Sequence, residues 1–274
     1  MSVPVEEVVP GSSDLGVLLL HGLTGTSAEM APVAEALVGR YPLWLSRIAG
    51  HETSVPELAR SSWADWYASA VTGADALLRV VPRIAVVGLS MGAMLTVRLA
   101  VERRAQIAGV ALLSPAIALG RPWLRRLTPG FRALSALDAH LPAVQRWLTP
   151  LALTKGGSDI SDLEVRSRHP GYRQVPLRAL LNLMHLQRFA WSAAPALTQP
   201  ALVMHAANDH TCPLDGARAL FARLGSADKR LVVLERCFHV VTVDCERDRV
   251  VSELDAFVAA VAAGPSSTTS PPVG

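Results

Sequence analysis

The segment Gly88-Leu89-Ser90-Met91-Gly92 places a serine between two glycines, where its hydroxyl could attack an electrophilic carbon. A serine hydroxyl is a weak nucleophile at neutral pH, so it needs a base within hydrogen-bond reach and a group that orients that base. At ordinary residue usage, a chain of this length contains the pattern G-x-S-x-G by chance roughly one time in ten. The alternative role for Ser90 is a helix N-cap, so its surroundings must decide between the two.

The residues around Ser90 have the pattern of a strand, a tight turn and a helix. An apolar run at Ile84–Val87 precedes the serine, and apolar residues recur at helical spacing over Met91–Arg103. In this setting, flanking glycines allow a strained turn that lifts the serine hydroxyl clear of the sheet while the helix packs close. The pattern therefore favours Ser90 as a nucleophile.

An aspartate and a histidine follow two later strand-like runs. Asp209 lies just after Ala201–His205, and His239 lies just after Leu231–Leu234. The carboxyl ends of parallel strands meet at one edge of a sheet, so we expect both side chains at the edge that carries Ser90. His239 would accept the Ser90 proton and pass it to a leaving group, while Asp209 would orient and stabilise the imidazole.

Other residues fit these two roles less well. Asp215 falls where a helix begins, so stabilisation by the helix dipole explains it, and Asp244 comes too soon after His239 for an independent strand end. His210 neighbours the predicted acid, but chain order and strand position favour His239 as the base. His205, inside a predicted strand, is expected to be a core histidine.

Two backbone amides are the expected donors to the negative charge that develops on the attacked carbonyl oxygen. One is the N–H of Met91, directly after the nucleophile. The other is the N–H of Leu23, because the loop His21–Gly25 follows an early strand at Val17–Leu20 and its glycines allow a ligand to approach. The alternative is a glycine-rich turn that serves only connectivity.

The order of predicted elements is that of a doubly wound α/β fold with a mostly parallel sheet. Short apolar runs alternate with helical patterns through the first 115 residues, and the alternation resumes near residue 200. Residues 1–115 and 191–263 are therefore assigned to one core. Residues 116–190 contain several prolines and amphipathic helical stretches but no strong strand, which predicts a helical cap. Residues 264–274 are too polar to bury a core, so we expect a disordered tail.

The predicted elements have the following bounds. The strands are 17–20, 43–46, 84–87, 110–113, 201–205 and 231–234. The helices are 27–39, 62–80, 91–103, 177–189, 214–224 and 247–263, with Ser27 as the N-cap of the first helix and Gly39 as its stop.

Metal, cofactor and nucleic-acid binding are not expected. No pair of His, Asp or Cys residues has metal-ligand spacing, and four further histidines have no partner pattern: His51, His140, His169 and His185. The formal net charge of +3 arises from residues 116–190, where eleven basic residues face four acidic ones; the rest has 15 against 19. Without interleaved aromatic residues, this pattern favours a solvated Arg-rich surface, with an anion-binding or membrane-surface face as the alternative.

The predicted compartment is the cytoplasm. Apolar runs are too short to span a bilayer or to form the core of a signal peptide. The chain has three cysteines, Cys212, Cys237 and Cys245, all in its last third, so a disulfide framework is not expected.

Four segments resemble the carboxylesterase and monoacylglycerol lipase group of bacterial α/β-hydrolases: HGLTGTSAEM, GLSMGAM, ANDHTCP and FHVVTVDCERDRV. The resemblance extends from about Gly16 to Val261 and is weakest between Ala116 and Leu186. It implies the α/β-hydrolase fold with a small helical cap, the triad Ser90, Asp209 and His239, and an oxyanion hole from the amides of Leu23 and Met91. It also implies hydrolysis of short or medium acyl esters or monoacylglycerols.

The sequence departs from that group at two positions. Glu52 follows Gly50-His51 where the group has a second glycine, which predicts a reshaped loop near the mouth of the site. Leu23 stands where phenylalanine is common, which predicts a slightly wider acyl pocket. Neither departure touches the three predicted catalytic residues.

The sequence leaves several alternatives open. The same triad could transfer an acyl group to another acceptor or cleave a thioester or peptide, and a hydrolase scaffold can also serve as a non-catalytic binding protein. A basic cap could make transient contact with a lipid surface. Seven cap residues either line the pocket or pack the cap on the core: Trp123, Phe131, Leu134, Trp147, Leu183, Leu186 and Trp191.

Overall fold

Seven strands form one sheet in the part of the chain that the computed structural model describes, which is residues 3–120, 130, 134, 138 and 141–264. In chain order the strands are β1 (Val8–Val9), β2 (Leu15–Leu20), β3 (Leu43–Leu45), β4 (Arg83–Leu89), β5 (Ile107–Leu113), β6 (Ala152–Thr154), β7 (Gln174–Pro176), β8 (Ala201–Ala206) and β9 (Lys229–Leu234). The main sheet has the order β1-β3-β2-β4-β5-β8-β9. Its strand pairs are parallel except for β1 with β3, so the predicted mostly parallel sheet is confirmed.

The central strands are buried on both faces. Every residue of β2 and β8 is buried, which explains why both are nearly continuous apolar runs rather than alternating patterns. Within β2, Leu18 and Leu20 belong to one core cluster, whereas Val17 and Leu19 belong to the cluster on the opposite face. Because successive side chains point to opposite faces, one strand supplies two hydrophobic cores.

Helices cover both faces of the main sheet. In chain order they are α1 (Ala31–Leu37), α2 (Val55–Arg60), α3 (Trp63–Leu78), α4 (Met91–Glu102), α5 (Pro142–Leu148), α6 (Leu163–Arg168), α7 (Leu177–Ala193), α8 (Leu214–Arg223) and α9 (Arg247–Ala263). Residues of α3, α4 and α7 pack into one cluster, and residues of α1 and α9 pack into the other. The doubly wound arrangement is therefore confirmed. None of the helices described in the structure has the length and apolarity to cross a membrane.

The predicted helix over residues 27–39 is wrong in its boundaries. Ser27–Met30 forms a 3₁₀ turn and α1 follows from Ala31, with Pro32 in its first turn, where a missing N–H costs nothing. Ser27 does not cap this helix. The backbone N–H of Ser27 instead donates to the Glu52 carboxylate at 2.6 Å. Gly39 has a φ of +81°, as expected for a residue that follows a helix end.

The segment between β5 and β8 contains more than helices. Besides α5, α6 and α7, the strands β6 and β7 pair in an antiparallel two-stranded sheet that the sequence analysis did not predict. Each strand has only three residues, and β6 is exposed throughout, so neither gives a hydrophobic pattern long enough to detect. The division between core and cap at residues 116 and 190 stays a prediction, and the predicted tail beyond Gly264 lies outside the described residues.

The replacement Leu18→Ala is expected to lower the free energy of unfolding by about 3 kcal/mol, because it leaves a cavity beneath the main sheet. Leu18 is fully buried. The control Leu163→Ala makes the same chemical change at a side chain that is 75% exposed and should change stability little. Chemical denaturation of both variants measures the difference, and similar losses in the two would contradict this account of the core.

Candidate active site

Ser90 lies at a sharp turn between β4 and α4. Its backbone has a φ of 57° and a ψ of −110°, a left-handed conformation that costs energy in any residue but glycine. A Cβ atom on Gly92 would overlap the carbonyl oxygen of Leu20, and one on Gly88 would overlap the carbonyl of Gly92. Both glycines are therefore required by close backbone approach, as predicted for a nucleophile elbow.

The structure brings Ser90, His239 and Asp209 together in one hydrogen-bonded chain. The Oγ atom of Ser90 lies 2.8 Å from Nε2 of His239, and Nδ1 of His239 lies 2.6 Å from Oδ2 of Asp209. The other oxygen of Asp209 accepts the backbone N–H groups of Thr211 and Cys212 at 2.8 and 2.7 Å. With Asp209 ionised, Nδ1 donates to the carboxylate and Nε2 is free to accept the serine proton.

The charges of His239 and Asp209 depend on each other. Burial alone lowers the pKa of His239, but the carboxylate of Asp209 and its hydrogen bond raise that pKa above the ordinary value. Burial alone raises the pKa of Asp209, but the charge and hydrogen bond of His239 bring it below the ordinary value. The pair thus favours an ionised aspartate beside a readily protonated imidazole.

His205 has a second role besides the predicted one. It is buried, as expected for a core histidine, but its Nε2 lies 3.2 Å from the Asp209 carboxylate and 3.0 Å from the carbonyl oxygen of Cys212. Burial, the largest influence, lowers the pKa of His205, so this imidazole stays neutral near pH 7. The spacing of four residues between His205 and Asp209 was the available signal for this contact.

The predicted second amide donor lies in a loop held by its own hydrogen bonds. Leu23 lines the same cavity as Ser90. The N–H of Gly25 donates to the carbonyl of Gly22 at 3.2 Å, and the N–H of Gly22 donates to the Glu29 carboxylate at 3.2 Å. Across the described residues, the N–H groups of Leu23 and Met91 find no protein acceptor, so both are available to a ligand oxygen.

Glu29 and His169 are buried site residues that the sequence analysis missed. One Glu29 oxygen accepts the Gly22 N–H, and the other lies 3.3 Å from Nε2 of His169. His169 also shares a 2.7 Å hydrogen bond with the Ser158 hydroxyl. The sequence showed no partner pattern for His169, because Glu29 lies 140 residues away along the chain. Burial raises the pKa of Glu29, but His169 lowers it to a net value below the ordinary one.

Glu52 has a backbone conformation that glycine adopts more readily than other residues. Its φ of 55° lies in the left-handed region, where the resembling proteins have glycine. The Glu52 carboxylate accepts the N–H of Ser27, which attaches this loop to the 3₁₀ turn after the amide-donor loop. The side chain thus adds a contact where the sequence predicted only a change in loop shape.

A cavity of about 140 Å³ opens beside Ser90 and His239. Apolar side chains on its wall include Leu23, Leu119, Val175, Leu180 and Leu183, and polar ones include Lys155, Ser158 and Asp159. Of the seven cap residues named from the sequence, Leu183 lines this cavity. Leu186 is buried in the core cluster, Trp147 and Trp191 are exposed, and Leu134 is partly exposed; Trp123, Phe131 and the histidine His140 lie outside the described residues.

The competing residues have separate structural roles. Asp215 lies in the first turn of α8, as predicted. Asp244 accepts four backbone N–H groups and one hydroxyl, from Ser161, Asp162, Phe238 and Cys245, so it organises a loop. His210 contacts Asp159 rather than Ser90.

A nucleophile elbow on a mostly parallel sheet, with an acid and a histidine at later strand ends, defines the α/β-hydrolase superfamily. Comparison with protein families gives a match over residues 11–246 to the family described as serine aminopeptidase, S33. This match covers most of the chain, and the protein belongs to that family.

Named relatives are lipases and esterases. The chain is 31% identical to a thermostable monoacylglycerol lipase of Bacillus sp. (strain H-257) over 246 residues, which is 89% of this chain and 90% of that protein. It is 24% identical to a carboxylesterase of Bacillus subtilis (strain 168), over 89% of this chain and 92% of the relative. A solved structure from work on the metagenome-derived lipolytic enzymes LipS and LipT has a TM-score of 0.79 at 28% identity, covering 94% and 99% of the chains.

Reaction of Ser90 with a fluorophosphonate is expected to slow as the pH falls, with half of the maximal rate above pH 6.5. The base must be neutral to accept a proton, and the raised pKa of His239 keeps it protonated to a higher pH than an ordinary imidazole. Asp209→Asn should lower the rate at alkaline pH by about 10⁴-fold. Labelling rates between pH 5 and 9 measure both effects, and a midpoint at or below pH 6.5 would contradict the proposed pairing.

Proposed function

We propose that Ser90, His239 and Asp209 are the catalytic triad of an enzyme that hydrolyses monoacylglycerols and similar single-chain esters. The protein is an ester-hydrolysing enzyme of the serine hydrolase type, as its family and its lipase and esterase relatives indicate. The observation that carries the proposal is the continuous hydrogen-bonded chain from the Ser90 hydroxyl to the Asp209 carboxylate, at 2.8 and 2.6 Å.

The proposed reaction has two halves. In the first, Oγ of Ser90 attacks the ester carbonyl while Nε2 of His239 takes the serine proton and Asp209 stabilises the resulting imidazolium. The imidazolium then protonates the leaving alcohol, which leaves an acyl group on Ser90. In the second half, His239 takes a proton from water, the hydroxide attacks the acyl carbonyl, and the fatty acid leaves as Ser90 regains its proton.

The amides of Leu23 and Met91 form the proposed oxyanion hole. Negative charge grows on the carbonyl oxygen in both halves of the reaction, and fixed N–H donors stabilise that charge more than they stabilise the neutral ester. Neither N–H has a protein acceptor in the described part of the chain, so no internal hydrogen bond must break when a substrate oxygen arrives.

The cavity wall supports an ester with one apolar chain and a hydroxylated alcohol. Leu119, Val175 and Leu183 provide apolar surface for an acyl chain. Ser158 and Asp159 supply polar atoms on the same wall, which suit hydroxyl groups of a glycerol-like leaving group. Monoacylglycerol has both an apolar acyl chain and a hydroxylated alcohol, and the 31% identical relative is named as a monoacylglycerol lipase.

We place the enzyme in the cytoplasm on the basis of its thiols. Cys212 and Cys237 are buried and free, and Cys245 is exposed and free. Burial raises the pKa of the Cys212 thiol well above its ordinary value, so that thiol is unreactive. An exposed free thiol such as Cys245 persists most readily in a reducing compartment.

Contact with an anionic lipid surface is proposed for the segment 141–168. Trp147 is 65% exposed and Leu163 is 75% exposed there, with Leu141 and Leu153 also exposed. Residues 141–168 contain four basic and three acidic side chains, and three of the basic ones are exposed: Arg146, Arg166 and Arg168. Exposed large apolar groups among cations suit a surface that offers both negative headgroups and acyl chains.

Ser90→Ala should reduce kcat on a medium-chain monoacylglycerol and on p-nitrophenyl butyrate by at least about 10⁴-fold, because no other hydroxyl can form the acyl-enzyme. Circular dichroism should show an unchanged fold. Ser226→Ala is the matched control, since Ser226 is buried before β9 at the opposite edge of the sheet. Substantial activity in the Ser90 variant, or equal losses in both variants, would refute the assignment.

Binding to vesicles that contain phosphatidylglycerol should exceed binding to pure phosphatidylcholine vesicles and should weaken as salt is added. Trp147→Ala is expected to weaken this binding about tenfold, because an aromatic anchor is lost. Trp191→Ala is the matched control: Trp191 is exposed near the far end of α7 and stacks with Arg223. Sedimentation with vesicles measures each affinity, and equal binding to both vesicle types would refute the lipid contact.

A further inference from the structure

Thr24, in the loop of the proposed oxyanion hole, has a backbone that must be held in place. Its φ of 63° is left-handed, which is rare and strained for a β-branched residue. Thr24 directly follows Leu23, whose N–H is the proposed second donor. Relaxation of Thr24 towards an ordinary φ would therefore rotate the peptide next to that donor.

Two residues of the segment between β5 and β8 hold Thr24. The ammonium group of Lys155 donates to Oγ1 of Thr24 at 2.7 Å. The backbone N–H of Tyr172 donates to the Thr24 carbonyl oxygen at 2.8 Å. The side chain and the backbone of one strained residue are thus fixed by the same neighbouring segment.

The small sheet of β6 and β7 places both of these residues. Lys155 directly follows β6, and its N–H donates to the carbonyl of Arg173 at 2.9 Å, which continues the pairing beyond the last β6 residue. Tyr172 comes two residues before β7. The Tyr172 hydroxyl accepts the N–H of Thr53 at 2.8 Å, which fixes this end of the sheet to the core.

Lys155 is an unusual residue to find in this position. It lines the cavity beside Ser90, and burial lowers the pKa of its ammonium although the charges of Glu29 and Asp159 oppose that shift. A partly buried ammonium is costly unless it makes a specific hydrogen bond, and the Thr24 hydroxyl provides one. The chain contains only one other lysine, Lys229, which donates to two backbone carbonyls at the end of α8.

We infer that Lys155 is a positioning residue for the reaction: it acts through Thr24 to hold the Leu23 amide where the oxyanion forms. The inference rests on the proposed function of Ser90, Leu23 and Met91. Its consequence is that residues outside the triad control kcat, because a misplaced donor loses transition-state stabilisation without weakening the binding of the neutral ester.

Lys155→Met should lower kcat on p-nitrophenyl butyrate about tenfold while KM stays within about twofold. It should also weaken inhibition by a trifluoromethyl ketone, whose hemiketal oxygen occupies the oxyanion hole, by the same factor. Lys229→Met is the matched control and should change neither quantity. A Lys155→Met enzyme with normal kcat and normal ketone affinity would overturn the inference.

A double-mutant cycle tests whether Lys155 acts through Thr24. Thr24→Val removes the hydroxyl and keeps the branched shape, so it should lower kcat as Lys155→Met does, and the double variant should be little worse than either. Thr24→Ser keeps the acceptor and should retain most of kcat, which controls for loop folding. An undiminished effect of Lys155→Met in the Thr24→Val background would overturn the inference, because Lys155 would then act on the substrate directly.

These outcomes are separate from those of the proposed function. Ester hydrolysis that survives Ser90→Ala refutes the triad whatever Lys155 does. Ser90-dependent hydrolysis together with a normal Lys155→Met variant leaves the triad intact and removes only the role of Lys155.

Discussion

The close approach of α4 to β2 is the constraint on which the site depends. Gly92, in the first turn of α4, lies against the carbonyl oxygens of Leu20 and His21, with no room for a side chain. This contact forces the sharp turn at Ser90, and it also brings Gly22 so near that an added Cβ would lie 3.2 Å from the Ser90 side chain. One backbone contact therefore sets the distance between Ser90 and the loop of the proposed amide donors.

Two buried carboxylates organise the surroundings of Ser90 from different directions. The Asp209 carboxylate hydrogen-bonds Nδ1 of His239 and accepts two backbone N–H groups. It also lies beside Nε2 of His205. Glu29 receives the Gly22 N–H and lies beside His169. A buried carboxylate is costly without such partners. Each acid thus supports a different part of the proposed site: Asp209 supports His239, and Glu29 supports the loop that carries Leu23.

The sequence was most informative where the chemistry is encoded by short local patterns. The strand, turn and helix around Ser90 and the strands before Asp209 and His239 were predicted because their apolar runs are nearly continuous. The ends of these strands were misplaced by up to two residues, since exposed residues such as Arg83 and Arg230 extend the hydrogen-bonded ladder beyond the apolar run. The short strands β6 and β7 had no comparable pattern.

Contacts across long sequence separations could not be predicted in this way. Lys155 forms a hydrogen bond with Thr24, which lies 131 positions away in the sequence. The periodicity of apolar residues does not predict which polar side chains will meet after folding. The same holds for Glu29 and His169, which lie 140 residues apart in the sequence and show no pattern that indicates their contact. Local patterns define the reacting groups, whereas tertiary packing defines what holds them.

Because Lys155 and Tyr172 both bond to Thr24, the proposed activity also depends on the position of the β6–β7 sheet relative to the core. A movement that lifted this sheet from the core would break both hydrogen bonds that hold the strained backbone of Thr24. With the sheet lifted, the proposed oxyanion hole would lose its second donor, so an ester that is still entering would not be attacked by Ser90 until the sheet had returned. The β6–β7 sheet would then control when the reaction begins, because turnover would wait for its return to the core.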